Sequence, residues 1–582
     1  MTLMTLRHGG ARCMALAKTS HTLFRHFRTM PHRAACLALL FAQPAWAQVP
    51  DAGRSIRDLE STIPAPPPAA PAPALDLREP GAPASPAADN AAPLATIRVQ
   101  GFQLDGNRVY DSAALQALLA DLVGSEQDLN GLRSAAARLT AHYQRGGYPL
   151  ARAYLPAQEI QNGIVRISVL EGVYGQVVLN NASRTRNHVL QPALDALQSG
   201  DAVHGAELDR ALLALNDIPG VTAKGTLRAG SVPGSTDLIV NADSGPWISG
   251  SVDADNYGGA YTGEYRLSAA ANINSPLTLG DQLDVRLLSS DRQQRYYHVD
   301  YSLPLGPWST RVGAGMSAMR YELGREFNYL EAHGRADTAN VYIRQTLLRS
   351  RDATVQATLQ YEHKRLQDDY DAVDYTRAHR VGLWTAALNA SARDHFLGGG
   401  RNAAYLSYSR GNLRFGDTVL RDEDLRFKHA GGGFGVVNAS LGRLQHVAGH
   451  VQFYGRLRAQ WSSKNLNSSE KFSLGGPYGV RAFAPGAASG DQGWQASGEL
   501  RYLPLPGLQL SAFIDTGSVQ ANKRSWTDER NRHFLTAFGV GIAHAAPTHL
   551  INVSAAWPLQ QSMPRTATDQ EPRFWVQATR YF

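Results

Sequence analysis

Two short stretches combine charge with backbone freedom in a way that could do chemistry. Phe472 to Gly486 reads FSLGGPYGVRAFAPG and sets one cation, Arg481, in a Gly- and Pro-rich segment; Phe513 to Gly517 reads FIDTG and sets one carboxylate, Asp515, in an apolar run. A guanidinium and a carboxylate form two parallel charge-assisted hydrogen bonds, which fix a single orientation. The pair predicts a latch that pins a loop to a strand. Catalysis has less support. His298, His363 and His395 have Asp or Ser residues near them in the sequence, which leaves a hydrolase open. No Walker-type glycine loop, HExxH or GxSxG pattern occurs. No catalytic residue, metal ligand or cofactor is therefore assigned.

Both stretches lie in a region patterned for strands. After Trp247 apolar residues alternate with polar ones, as in Leu283, Val285 and Leu287, in Tyr297, Val299 and Tyr301, in Val355 to Tyr361 and in Ile551 to Trp557. Tight connections are expected at Leu303 to Gly306, at Leu503 to Gly507 and at Trp557-Pro558, with longer polar ones such as Asn522 to Arg532 between them. Alternating tight turns and long loops are the mark of an outer-membrane barrel. Trp247 to Phe582 is 336 residues, and at roughly forty residues per hairpin that gives about sixteen antiparallel strands. No segment after the leader approaches the length of an apolar spanning helix, so a membrane location requires a closed barrel. The last ten residues, RFWVQATRYF, alternate and end on Phe582, with Arg580 interrupting the apolar face. A long Arg at the membrane edge reaches the head groups.

Composition narrows the partners. The chain of 582 residues exceeds one compact core, and 54 Gly and 23 Tyr favour β-structure with many turns. The formal charge of +7 falls to +1 once Arg7, Arg12, Lys18, Arg25, Arg28 and Arg33 are set aside. A nucleic-acid partner has no support. Cys13 and Cys36 both precede residue 48, so disulfides and thiolate metal sites are not expected beyond the leader.

That leader reads as a cleaved secretory signal over residues 1–47, with basic residues up to Arg33, an apolar run from Ala34 to Ala42 and a small-x-small pattern at Ala45-Trp46-Ala47. Met1 and Met30 both remain open as the start. Within residues 48–93, ten of the chain's 30 prolines fall between Pro64 and Pro93 and indicate a semi-extended linker. Ahead of the prolines, Ile56, Leu59 and Ile63 recur at helical spacing. A helix that short is marginal in water, so it either docks elsewhere or is disordered.

Between linker and barrel the order β-α-α-β-β appears twice. In residues 94–172 it runs through Ile97 and Val99, a helix over Ala113 to Val123, a second from Leu129 to Tyr143 capped by Asp128 and stopped at Gly146-Gly147, and strands Leu150 to Leu155 and Ile164 to Leu170. In residues 173–244 the strand Gln176 to Leu179 precedes helices His188 to Gln198 and Glu207 to Leu215, then strands Val221 to Leu227 and Asp237 to Ala242. Each set predicts a small sheet with two helices on one face. The tandem resembles polypeptide-transport-associated (POTRA) domains, which handle unfolded chains in the periplasm.

Signal, linker, two such α+β modules and a barrel over residues 245–582 together resemble the transporter of two-partner secretion, the hemolysin secretion/activation family. The most specific motif is Val480-Arg481-Ala482-Phe483, within Gly475, Gly476 and Gly479, against a family pattern of Val-Arg-Gly-aromatic. Asp255-Asn256-Tyr257-Gly258, Leu279-Gly280-Asp281, Tyr301 to Gly306 and Glu499-Leu500-Arg501 also look like the family. Ala482 stands where the family has Gly, and would be strained at a positive φ. The resemblance implies that the Arg481 loop folds into the barrel lumen and pairs with Asp515 on the strand carrying Phe513 and Gly517. It also implies a plug helix around Ile56, Leu59 and Ile63, and a C-terminal assembly signal at Phe582. The implied partners are an unfolded, β-helical exoprotein, outer-membrane lipid and the barrel assembly machinery. Hemolysin, adhesin and contact-dependent toxin exporters share the layout. An outer-membrane insertase is the alternative, although that branch usually carries more POTRA modules.

Overall fold

The computed structural model describes residues 49–63, 96–306, 309–562 and 570–582. The expected signal and most of the linker lie outside them. The first module joins strands Gly101–Asp105, Ile164–Leu170 and Arg152–Tyr154, with Ile164–Leu170 central, parallel to the first and antiparallel to the last. Helix Leu129–Arg145 buries Leu132, Ala136, Leu139 and Tyr143 against that sheet, and Asp128 accepts from Gly131 N at 2.7 Å. The helix expected over Ala113 to Val123 is shorter: Ser112–Ala117 is α-helical and Ala120–Leu122 tightens to a 3₁₀ turn. The chain turns there: Gly124, at φ +85, donates back to Val99 O at 2.7 Å. At the module's end Glu171 accepts from Tyr143 Oη, Arg108 N and Val109 N. Burial, and then the adjacent carboxylate, push the Tyr143 hydroxyl above its ordinary value, so it remains a donor.

The second module repeats the plan with Val173–Asn181, Ser235–Ser244 and Val221–Ala229, Ser235–Ser244 being central. Helix Gly205–Asn216 matches expectation, whereas His188 to Gln198 forms only one α turn, Asn187–Leu190, and a 3₁₀ turn at Gln191–Ala193. Pro192, which lacks an N–H, stops the helix from continuing. Asp217 of this module receives two hydrogen bonds from Arg349 of the barrel, both 2.8 Å.

Sixteen antiparallel strands close the barrel. They are β1 (Ile248–Asp255), β2 (Arg266–Asn274), β3 (Gln282–Ser290), β4 (Arg295–Leu305), β5 (Thr310–Glu322) and β6 (Ala332–Arg349). Next come β7 (Ala353–Tyr370), β8 (Tyr375–Asp394), β9 (Gly400–Phe415), β10 (Gly432–Ala448) and β11 (Val451–Ser462). The last five are β12 (Gln492–Leu505), β13 (Leu508–Gln520), β14 (Arg532–Ala546), β15 (His549–Gln561) and β16 (Arg573–Tyr581). β16 pairs with β1 from Gln577↔Asp255 to Tyr581↔Ser251, which leaves no open edge in the ring. Tyr297, Leu359, Ile551 and Val576 face outward and are exposed, while polar side chains such as Ser407, Gln460 and Gln577 face inward and are buried.

Connections on the module side are short, as at 506–507, where Gly507 adopts φ +79. On the opposite side they reach 463–491 and 416–431. Trp557-Pro558 is not a turn. Both residues lie inside β15, and the register shift beside Ala537↔Pro558 accommodates the residue that cannot donate to the ladder.

Candidate functional site in the barrel lumen

The cross-strand register of β12 and β13 sets Ser497 opposite Asp515 and Glu499 opposite Phe513, all pointing inward. A fork of acceptors follows from that alternation alone. The connection 463–491 supplies the donor. Its stem pairs Phe472 with Gly490 and Ser473 with Ser489, and its tip is tied by Val480 N to Leu474 O and Gly476 N to Phe483 O. Leu474, Val480, Ala482 and Phe483 pack against Phe513, Leu535, Ala537 and Ala556 on the barrel wall. The loop therefore folds back into the lumen rather than into solvent.

Arg481 reaches Asp515 through Nε at 2.8 Å and Nη2 at 3.0 Å, and Glu499 through Nη1 at 2.9 Å. Asp515 also accepts from Ser497 Oγ at 2.6 Å and from Arg481 N at 3.2 Å. Its side chain is 0% exposed, against 14% for Arg481. The guanidinium lies 3.2 Å over the Phe513 ring centroid. Arg501 holds the other Glu499 oxygen at 2.8 Å. Every strong acceptor of the buried carboxylate is thus used, the condition under which a buried pair fixes geometry. Trp575 on β16, absent from the expected set, donates Nε1 to Arg481 O at 2.6 Å. Its inward position follows from the β16 alternation, in which Arg573, Trp575, Gln577 and Thr579 are all buried.

The loop glycines have separate reasons. Gly476 adopts φ +106, and a Cβ at Gly475 or Gly479 would collide with carbonyl oxygens of Ala484 or of Leu474 and Gly475. A Cβ at Gly517 would sit 2.6 Å from Leu474 Cδ2. Ala482 is not among the residues with positive φ, so the departure from Gly at that position strains nothing. Gly479→Ala is expected to cost about 1–3 kcal/mol of loop packing, seen as faster proteolysis of 463–491 in the assembled barrel. Ala482→Gly should leave that rate near wild type.

Beside the loop lies helix α1 (Ala52–Thr62), capped by Asp51, which accepts from Arg54 N at 2.8 Å. Ile56 and Leu59 are buried against Leu288, Met319, Ala336 and Leu366 of the barrel wall, and Ile63 is partly buried there. Arg54 donates to Gly486 O at 2.7 Å and Arg57 to Ser468 O at 2.9 Å, so α1 grips the same loop that carries Arg481. Ala52 N donates to Asp368 on β7 at 2.6 Å. At the other end Arg266 donates to Thr62 Oγ1 at 2.7 Å and is itself held by Asp255 at 2.8 Å, both ion-pair side chains being 1% exposed. The expected set holds only the apolar face of this helix, Ile56, Leu59 and Ile63; the polar contacts of Ala52, Arg54, Arg57 and Thr62 lie outside it.

The remaining expected residues are placed elsewhere. Phe582 is outward and exposed, and its backbone exchanges two hydrogen bonds with Gly250 on β1, 2.9 and 3.1 Å, at the barrel seam. His298, His363 and His395 fall on β4, on β7 and after β8, and no His–Ser–Asp hydrogen-bonded set occurs among the described residues. No group of three metal-binding side chains occurs among them either.

Residues 234–544 match the family model for haemolysin secretion/activation protein ShlB/FhaC/HecB, and residues 97–172 match the POTRA domain, ShlB-type. The chain belongs to the haemolysin secretion/activation family. Its members include the Heme/hemopexin transporter protein HuxB of Haemophilus influenzae, 30% identical over 478 residues, covering 80% of this chain and 84% of that one. The Hemolysin transporter protein ShlB of Serratia marcescens is 26% identical over 529 residues, covering 82% and 88%. The structure of CdiB from Escherichia coli superimposes with TM-score 0.66 at 21% identity, covering 90% of this chain and 95% of that chain, a likeness of fold. As a haemolysin secretion/activation family member, the chain is an outer-membrane transporter of the two-partner secretion type, with its first POTRA domain on the periplasmic side.

Proposed function

We propose that this transporter takes one unfolded, β-helical exoprotein from the periplasm and passes it through the barrel to the cell surface. The observation that carries the reading is the pairing of an internally latched loop with a docked helix in one lumen: each is held to the wall by its own apolar patch and by polar contacts that can be exchanged, and the two patches are separate. Residues 94–172 and 173–244 act as two client-binding modules. Their edge strands, Gly101–Asp105 in the first and Val173–Asn181 in the second, offer unpaired backbone groups to an extended client by β-augmentation, which tolerates varied side chains. Residues 1–47 serve as the signal and 48–93 as plug helix plus tether, with residues 245–582 as the pore. Phe582, at the seam, serves as the assembly signal read by the barrel assembly machinery, and the outward apolar belt meets lipid.

The test is co-expression with candidate exoproteins of hemolysin, adhesin or hemopexin-binding type. Release into the medium that depends on this chain supports the reading. Normal barrel assembly without release of any candidate, together with loss of other barrels when the chain is depleted, would replace it with an insertase.

A further inference from the structure

The lumen wall is uneven in charge. Glu499, Asp515, Asp255, Asp284, Asp300 and Glu362 place inward carboxylates on β12, β13, β1, β3, β4 and β7. Strands β8 to β11 place none. On these four strands the inward parity is set by buried His379, Ser407, Val436 and Gln460, and the outward parity by exposed Trp384, Leu406, Leu441 and Trp461. Read at that parity, the middle of the wall is Ser, Thr, Asn, Gln, Ala, Gly and Tyr, with two cations, Arg456 and Arg458.

The same wall is the one left open. Helix α1 packs on the side of β3 to β7, and the infolded loop on the side of β12 to β15. Between them a cavity of about 220 Å³ is bounded by Ser409, Asn438, Arg458 and Gln460. A second, of about 390 Å³, is bounded by Asn389, Tyr405, Ser440 and Arg456. The registers Tyr405↔Ser440↔Arg458 and Ala403↔Gly442↔Arg456 stack the two along one track.

Neither Arg456 nor Arg458 has a carboxylate or hydrogen-bond partner among the described residues; Arg458 rests 5.4 Å from the Phe472 ring centroid. Glu499 on the neighbouring strand is already engaged by Arg481 and Arg501. An extended chain in a confined lumen must satisfy its backbone groups, and hydroxyl and amide side chains can do so exchangeably. The loop side of the smaller cavity adds Arg57, Lys471 and one carboxylate, Glu470, which Lys364 already holds at 3.0 Å. Two unpaired guanidiniums on a strand wall with no carboxylate of its own attract carboxylates over a low-dielectric boundary.

We propose that the β8–β11 wall is the binding track for an extended, carboxylate-bearing polypeptide segment, with Arg456 and Arg458 selecting its charge. This deepens the transport reading and rests on it. The test uses the full chain assembled in the outer membrane with Ser440→Cys, whose thiol is alone among the described residues. Its labelling by a neutral thiol reagent is measured against ten-residue peptides alternating Glu with Gly or Lys with Gly.

The acidic peptide is expected to protect at about tenfold lower concentration than the basic one, a difference of about 1.4 kcal/mol. Arg456→Gln with Arg458→Gln should abolish that preference, and Arg456→Lys with Arg458→Lys should keep it. Equal protection by both peptides, protection by neither, a preference that survives the Gln variant, or a thiol that is not labelled at all would overturn the proposal. Any of these results alongside intact exoprotein release would remove the track and leave the transport reading standing.

Discussion

Arg481→Ala is expected to leave the barrel assembled and to lower exoprotein release at least about tenfold. The substitution strands Asp515, which is fully buried, and frees Glu499 from one of its two arginines. Breaking a buried pair from one side costs about 3–5 kcal/mol in a dry setting. The damage falls on the loop, since the β12–β13 ladder bonds backbone to backbone and does not involve Arg481. Heat-modifiable gel mobility should therefore be unchanged, while protease cuts 463–491 faster. Arg481→Ala combined with Asp515→Ala removes the stranded charge, and should restore part of the protease resistance without restoring release. Wild-type release from the single variant would sink the latch.

A comparably large effect is expected when α1 is prevented from docking. Ile56→Asp with Leu59→Asp exchanges two buried side chains, each contributing about 1.5–3 kcal/mol by burial, for carboxylates set against Leu288, Met319 and Leu366. The remaining polar grips, from Arg266 and Asp368 and onto Gly486 and Ser468, do not offset that loss. The helix should leave the lumen, and cells should become sensitive to a large hydrophilic antibiotic that an intact outer membrane excludes. Assembled barrels of the double variant that still exclude the antibiotic would mean that α1 is not what occludes the pore.

The two halves of the latch show how far a linear reading reaches. Arg481 and Asp515 stand out because each is a lone charge in an apolar or Gly-rich setting, 34 residues apart. Trp575 does not stand out, because an aromatic near the end of an alternating strand is expected on either face, and its bond to Arg481 O spans 94 residues. Arg266 is equally silent, one cation among many in strand-like sequence, and its partner Thr62 lies 204 residues away; Asp255 stands out only as part of the stretch Asp255 to Gly258, which does not name its partner. The helix errors have a local cause. Pro192 and the turn at Gly124 cut short two segments whose apolar spacing alone reads as longer helices.

By itself the sequence determined the class of the molecule. A side-chain period of two over residues 247–582, tight and long connections in alternation, and two copies of one α+β order specify a barrel behind paired modules, because these patterns are local and repeat. Tertiary structure alone decided how the lumen contents are gripped. Polar and apolar side chains both occupy inward positions, so their sequence does not say which ones meet; the folded barrel does, by bringing Ala52 to Asp368 across 316 residues and β16 back to β1.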